Sequence, residues 1–448
     1  MKQLKILTLS GILASSLFAL QNHNIDYISM SMGGAGVATS YGSLSAYVNP
    51  ALVNNKDNKR TEFGLSVGIG IQEHELGDDL NKLSDAEVGD TLDKIANGEG
   101  DNPDTRDKAN KITEALKDLA NKENNYLMIT PNAALSFKIG RHFALGIDVI
   151  ADAKIKAVID KNRLEYISHV QDTFTYAGQN YQTDSYVKYD PNAPGNAYSQ
   201  SDKTAYQTTS IEYAMKESNT TRLDVNGISI AEIPLTYANN IDLGDATINW
   251  GITAKYMVGT TTSTQILFTD DDYDPMQNLD ENTVDTTTFG VDAGLVIQNS
   301  DSGFKLAIAG KNLNSPEFDL VNGDVYKLKA KYTTGIAYSA TDMIDIAIDY
   351  DLNEITDELT NQKYQYIKGG INFHPLTWFS LRAGARQNLA DKDDYNGLIY
   401  TAGVGVGLKW LQVDLAAEVS QNSGSYDGED IPRYAKVNLA IVSKWGDN

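Results

Sequence analysis

From Phe143 the chain carries an apolar residue at every second position, through Leu145, Ile147, Val149, Ala151, Ala153, Ile155 and Ala157 to Ile159. The interleaved face holds His142, Asp148, Asp152, Lys154, Lys156 and Asp160. Successive side chains of a strand leave opposite faces, so period-two alternation is a strand signal. The run is far longer than the ~5–6 residues of an ordinary globular strand. It suits a tilted strand that crosses a bilayer, which needs roughly 9–11 residues in the hydrocarbon.

The pattern recurs. Ile344, Ile346, Ile348 and Tyr350 alternate with Asp345, Ala347, Asp349 and Asp351, and Leu411, Val413, Leu415, Ala417 and Val419 alternate with Gln412, Asp414, Ala416, Glu418 and Ser420. Strands are expected at 61–73, 126–139, 142–160, 222–238, 246–267, 285–298, 303–312, 325–339, 342–352, 363–373, 378–388, 396–409, 410–421 and 432–445. That is fourteen, an even number, as bacterial outer-membrane barrels have. The fourth contains Pro234, which removes a ladder donor. Connections at Gly140-Arg141, Ser300-Asp301, Ala340-Thr341, His374-Pro375-Leu376 and Lys409-Trp410 are tight, whereas those at 74–125, 161–221, 268–284, 313–324, 353–362, 389–395 and 422–431 are long or acidic. Short turns on one side against long loops on the other are expected of a barrel. Trp378, Trp410 and Trp445 fall beside short turns and Trp250 close to one, as an interfacial aromatic girdle requires.

The amino terminus reads as a signal peptide over 1–20: Lys2 and Lys5 precede an apolar stretch from Ile6 to Leu20. With 60 acidic residues against 37 basic and a net charge of −23, the chain is unsuited to nucleic acid. The acids concentrate in 74–125 and 268–285, and the mean hydropathy of −0.35 averages those inserts with one-sided strands. Absence of cysteine excludes disulfides, thiolate metal sites and a lipoprotein anchor.

Ser31-Met32-Gly33-Gly34-Ala35-Gly36-Val37-Ala38-Thr39, followed by Asn49-Pro50-Ala51, resembles the amino-terminal plug of the long-chain fatty acid transporter (FadL-like) superfamily, and is most similar to the TraF-like barrels assigned by name to conjugal plasmid transfer. Lys255-Tyr256, Gly310-Lys311-Asn312-Leu313 and the run from Leu381 to Leu389 support the resemblance. It implies an all-β transmembrane barrel of the outer membrane, with a plug at 21–60 inside a barrel at 61–448. The plug or gate residues are then Gly33, Gly34, Gly36, Asn49, Pro50 and Ala51. The lumen face is expected to hold Asp148, Asp152, Lys255, Asp292, Lys329, Lys331, Asp345, Asp349, Arg382 and Arg386, with Lys154, Lys327, Lys368, Asp414 and Glu418 on the same face.

The insert 74–125 is helical by period: Leu76, Leu80 and Leu83, then Val88, Leu92 and Ile95, then Ile112, Leu116 and Leu119. Ser84 and Glu87 have the spacing of a capping box. The insert 161–221 carries eight tyrosines, which suits contacts with other molecules. Gly64-Leu65-Ser66-Val67-Gly68 matches a nucleophile elbow in letters, but lies in a strand rather than at a strand-to-helix turn. Asp270, Asp272, Asp274 and Glu281 have calcium-loop spacing, with Pro275 where the loop needs glycine. Five histidines show no metal spacing, and neither cofactor nor enzymatic activity is expected. The expected partners are membrane lipid, a small hydrophobic ligand, and conjugation or secretion components, with the chain a monomer. Two functions follow: passive transport of hydrophobic or amphipathic molecules, or a structural part of conjugation or secretion machinery.

Overall fold

The computed structural model describes residues 24–445 apart from 55–60, 123, 178, 194, 196, 270–281, 300–301, 392–394 and 409. The signal-peptide segment and the calcium-loop candidates Asp270, Asp272, Asp274 and Glu281 lie outside the described residues. Among those described, fourteen antiparallel strands close into one barrel. They are β1 (Thr61–His74), β2 (Tyr126–Ile139), β3 (Phe143–Val158), β4 (Arg222–Asp242), β5 (Ala246–Ile266), β6 (Thr283–Asn299), β7 (Phe304–Lys311), β8 (Lys331–Thr341), β9 (Ile344–Asp351), β10 (Tyr366–Leu376), β11 (Phe379–Asn388), β12 (Ile399–Gly407), β13 (Leu411–Ser420) and β14 (Tyr434–Trp445). Each pairs with its neighbours in sequence, and β1 pairs with β14 to close the ring, Thr61 opposite Trp445. No described helix is long and apolar enough to cross a membrane.

The alternation sorts by face. On β13, Val413, Leu415 and Val419 are exposed outward while Asp414 and Glu418 are buried inward. Trp378, Trp410 and Trp445 are exposed at the short-turn end. The lower outward face of β3, Phe143 to Ile147, is exposed, but Ile155 and Ala157 are buried. Farther from the short turns that face is covered by helices α2 (Gly77–Asp85), α3 (Val88–Ala96) and α4 (Pro103–Asn121). Their leucine and isoleucine stripes form one core with Leu223 and Val225 of β4, Ile266 of β5, and Tyr166 and Tyr189 of the tyrosine-rich insert.

Several boundaries differ from the sequence reading. The run expected at 325–339 is two elements. Val325–Lys327 pairs with Glu317–Asp319 in a hairpin, and the barrel strand starts at Lys331. Likewise Lys363–Tyr364 pairs with Ile355–Thr356, ahead of β10. Alternation continues across both junctions, so period alone could not separate them. Two turns also shift: Ala340-Thr341 belongs to β8 or its end, and His374-Pro375-Leu376 to β10, the turns proper falling at 342–343 and 377–378. The capping box does not form. Ser84 lies in the last turn of α2, and Glu87 caps α3 from a left-handed conformation without a side-chain bond. The tyrosine-rich insert is not simply exposed loop: Tyr166–Tyr176 and Gln179–Tyr189 form a hairpin, with Tyr166, Tyr189 and Tyr206 buried and its outer half, Tyr176 and Tyr181 included, open to water.

β4 is regular on one side only. Pro234 pairs with Lys255 of β5, yet pairing with β3 lapses between Leu145–Leu235 and Asp148–Glu232. Pro131 of β2 does the same: it pairs with Ile69 of β1, while the β2–β3 ladder lapses between Ile129–Ala153 and Asn132–Ile150. Proline has no N–H, and in both cases the missing donor falls on the β3 side. One strand is thus flanked by two interrupted ladders.

Candidate functional site

Residues 24–54 lie inside the barrel and are almost wholly buried. A short helix, α1 (Tyr27–Ser31), is capped by Asp26, which accepts from the Ser29 N–H at 2.9 Å and from Ser40 Oγ at 2.6 Å. The segment spans the lumen and is seated at both ends on paired wall glycines. Gly370 and Gly384 are cross-strand partners on β10 and β11, and a Cβ on either would strike the backbone of Met32 or Gly33. Gly251 and Gly294 are partners on β5 and β6, and there a Cβ would strike Pro50 or Asn49. Gly33, with φ of +73°, sits where a side chain would meet Gly369 O at 2.6 Å. Asn49 donates to the Val37 carbonyl at 2.8 Å and accepts from the Ala51 N–H at 3.0 Å, folding the Asn-Pro-Ala turn onto the plug. Gly34 packs more loosely, against the Lys368 stem.

Wall side chains grip plug backbone. Thr401 Oγ1 accepts from Gly33 N–H at 2.7 Å and donates to Ser31 O at 3.0 Å, while Asp349 accepts from the N–H groups of Gly36 and Val37. Ser66 of the false nucleophile elbow is one of these contacts, with Oγ 2.8 Å from the Ile25 carbonyl and 3.1 Å from Asn438. The sequence reading names neither Thr401 nor the paired wall glycines as plug contacts, and names Ser66 only within the false elbow. The available signal was glycine inside alternating strands, which marks a close backbone approach.

The lumen charges are organised by ion pairs. Arg386 meets Glu418 in a fork of 2.8 and 2.7 Å between the rings of Tyr366 and Tyr434. Arg382 donates to Asp414 at 2.8 Å and stacks on Tyr27 of the plug. Lys331 and Lys368 converge on Asp351, at 3.2 and 2.7 Å. Asp152 lies nearer the external end, beside Asp357 and Lys436. Lys327, expected on the lumen face, instead lies on the external hairpin and pairs with Glu317.

Among the described residues, open space lies on either side of the plug. At the turn end an open vestibule is lined by Tyr41, Lys305, Asp345, His374 and Trp378. Asp345 there lies 2.9 Å from His374 Nε2 and accepts from Ser339 Oγ at 2.7 Å. On the other side of the plug is a narrow chamber with a cavity volume of about 50 Å³. Its floor is Tyr47 of the plug. Its roof is the hairpin that buries Phe318, Tyr326 and Leu328 against Ile228, Ile230 and Met257 inside the barrel mouth. Asp148, Lys255, Asp292, Lys329 and Lys331 line it, and so do Leu145, Gly146 and Pro234, the residues at the interrupted β3–β4 ladder. Gly146 is needed here, because a Cβ would collide with the Tyr47 hydroxyl and crowd Pro234 Cγ at 3.1 Å.

A family model described as the F plasmid transfer operon TraF protein matches residues 46–351, which runs from the plug through β9. The chain belongs to the TraF family. No curated protein matches it. Among solved structures, this TraF-family chain aligns with the toluene transporter TodX of P. putida at 10% identity, covering 95% of this chain and 100% of TodX, with a TM-score of 0.46. With the Ralstonia pickettii toluene transporter TbuX the values are 12%, 94%, 100% and 0.47. With a Pseudomonas aeruginosa FadL homologue they are 12%, 96%, 100% and 0.44.

Proposed function

We propose that this TraF-family barrel is a passive conduit of the outer membrane for small hydrophobic or amphipathic molecules, exchanging them between the chamber and the bilayer through the wall beside β3. The observation that carries this reading is the lapse of the β3–β4 ladder at Gly146 and Pro234 directly against the chamber. A straight axial pore is not available to such a molecule: the plug blocks the lumen below the chamber and the Phe318 hairpin covers it above. The chamber's mixture of apolar and charged lining suits a molecule with an apolar body and a polar end. A purely structural role would favour a lumen filled for rigidity and an apolar helix stripe left for a partner. The stripes of α2, α3 and α4 are instead buried in their own core, so this second role has no comparable support.

The test uses the absence of native cysteine. Ile147 and Ile233 face each other across the lapse and both point outward. In an Ile147→Cys, Ile233→Cys chain reconstituted in liposomes, oxidation is expected to cut influx of a small hydrophobic dye at least ~10-fold, with recovery on reduction. Influx that is the same in both redox states, with the crosslink verified by mass, overturns the wall route. Influx no greater than in protein-free liposomes overturns the conduit.

A further inference from the structure

We infer that Asp148 and Glu232 form a recognition site in the chamber for the cationic head of an amphipathic molecule, an inference that rests on the conduit proposal and names its ligand class. The two carboxylates are direct cross-strand partners at the inner edge of the interrupted ladder. Like charges directly opposite one another are unfavourable, and burial removes the water that would moderate the repulsion. Both side chains are buried, Asp148 at 1% exposure.

The neighbouring cations do not satisfy Asp148. Lys255 has three donors, and they face Glu232 at 3.3 Å, Asp292 at 3.3 Å and Asn312 Oδ1 at 2.5 Å. Lys311 donates to the Tyr47 carbonyl at 2.8 Å. Lys329 and Lys331 are engaged by Glu358 and Asp351. The Tyr47 hydroxyl has a single proton, shared between Asp148 and the Leu135 carbonyl at 3.1 Å. At most one Asp148 oxygen therefore receives a hydrogen bond among the described residues. A buried carboxyl group in that state takes up a proton or pairs with a cation, and the space in front of it is the chamber.

The remaining lining gives the rest of the ligand. Leu145 and Pro234 continue from the carboxylates to the membrane face, so an alkyl or aryl body would lie along them with its ammonium end inward. Lys255 blocks a second cation beyond Glu232, which limits the site to one charge.

The experiment compares n-hexylammonium, n-hexanol and n-hexanoate, which share one chain and differ in head charge, binding to the full-length protein in nanodiscs by calorimetry. Hexylammonium is expected to bind at least ~10-fold more tightly than either other probe. Asp148→Asn should bring hexylammonium to within about two-fold of hexanol while leaving hexanol unchanged, and Glu232→Gln should weaken the preference in the same direction. If hexanol or hexanoate binds as well as hexylammonium to the unaltered protein, as it would were Asp148 simply to hold a proton, the cationic site is overturned and the conduit stands. If none of the three binds beyond empty nanodiscs, both readings fall. The wild-type comparison decides the matter even where a variant folds poorly.

Discussion

Gly36 donates its backbone N–H to the carboxylate of Asp349 at 2.7 Å, across 313 residues of sequence. The same carboxylate accepts from Val37 N–H at 3.0 Å. Asp349 thus holds the plug by its main chain. Asp349→Ala would orphan two buried donors at about 1–3 kcal/mol each, without touching a ladder bond. The plug should loosen inside an intact barrel. A Val37→Cys probe, buried in the parent, is expected to react with a thiol reagent at least ~10-fold faster in the Asp349→Ala background; equal rates would show that other contacts suffice.

Arg386 and Glu418 test the ion pairs of the wall. Both are buried, and their forked geometry is completed by the Tyr434 hydroxyl, which donates to Glu418 at 2.7 Å. Arg386→Ala leaves a buried carboxylate without its partner, a loss of about 3–5 kcal/mol. Arg386→Met combined with Glu418→Gln should recover most of that loss, because the uncompensated charge is gone. Urea unfolding midpoints of the three chains give the comparison.

The glycine recesses make a sharper contrast. A Cβ at Gly251 would lie 2.5 Å from the Pro50 carbonyl carbon and 2.8 Å from the Ala51 nitrogen, backbone atoms that cannot rotate away. At Gly369 the nearest obstacle to a Cβ is Ala347 O at 3.8 Å. Gly251→Ala is expected to raise single-channel ion conductance by unseating Asn49–Ala51, and Gly369→Ala to leave it at the parent level. Planar-bilayer recordings distinguish them.

The external hairpin at 355–364 carries a pH dependence. Burial, reinforced by the nearby Asp152 carboxylate, raises the Asp357 pKa from 3.8 to about 6. A carboxyl group that is harder to ionise in the folded state stabilises folding most in acid, and that contribution is lost as pH rises from 3.8 to about 6. Asp357 also accepts from the N–H groups of Leu359 and Thr360, each at 2.9 Å. Amide protection at Leu359 and Thr360, corrected for intrinsic exchange, should therefore be higher at pH about 5 than at about 8. Asp357→Asn should flatten the difference.

The barrel was legible because one-sided strands leave a period that survives any register. Val413 and Asp414 announce their faces from sequence alone, and the tight turns announce which ends meet. What alternation cannot convey is depth. Ile155 and Leu145 share a phase on β3, yet Leu145 is exposed and Ile155 meets α4 and its neighbours, because a helical insert with its own apolar stripes folds back over the strand. Nor can alternation distinguish a wall strand from a hairpin that precedes it, which is why Lys327 was placed in the lumen. The plug motif was visible as letters, but its receptors were not. Gly251 and Gly294 become a recess only when registration puts them opposite each other. Asp148 was recognised as a lumen charge, whereas its shortage of donors depends on where Lys255, Tyr47 and Lys311 spend theirs.

The joint between β1 and β14 can form only after β14 has been made, since it unites the first barrel strand with the last. The plug is tethered immediately ahead of β1, and at that joint Ser66 and Asn438 stand together beside Ile25. Sealing the ring and lodging its contents are therefore coupled in time as well as in space: the final seam is made against a segment that was translated before any barrel strand.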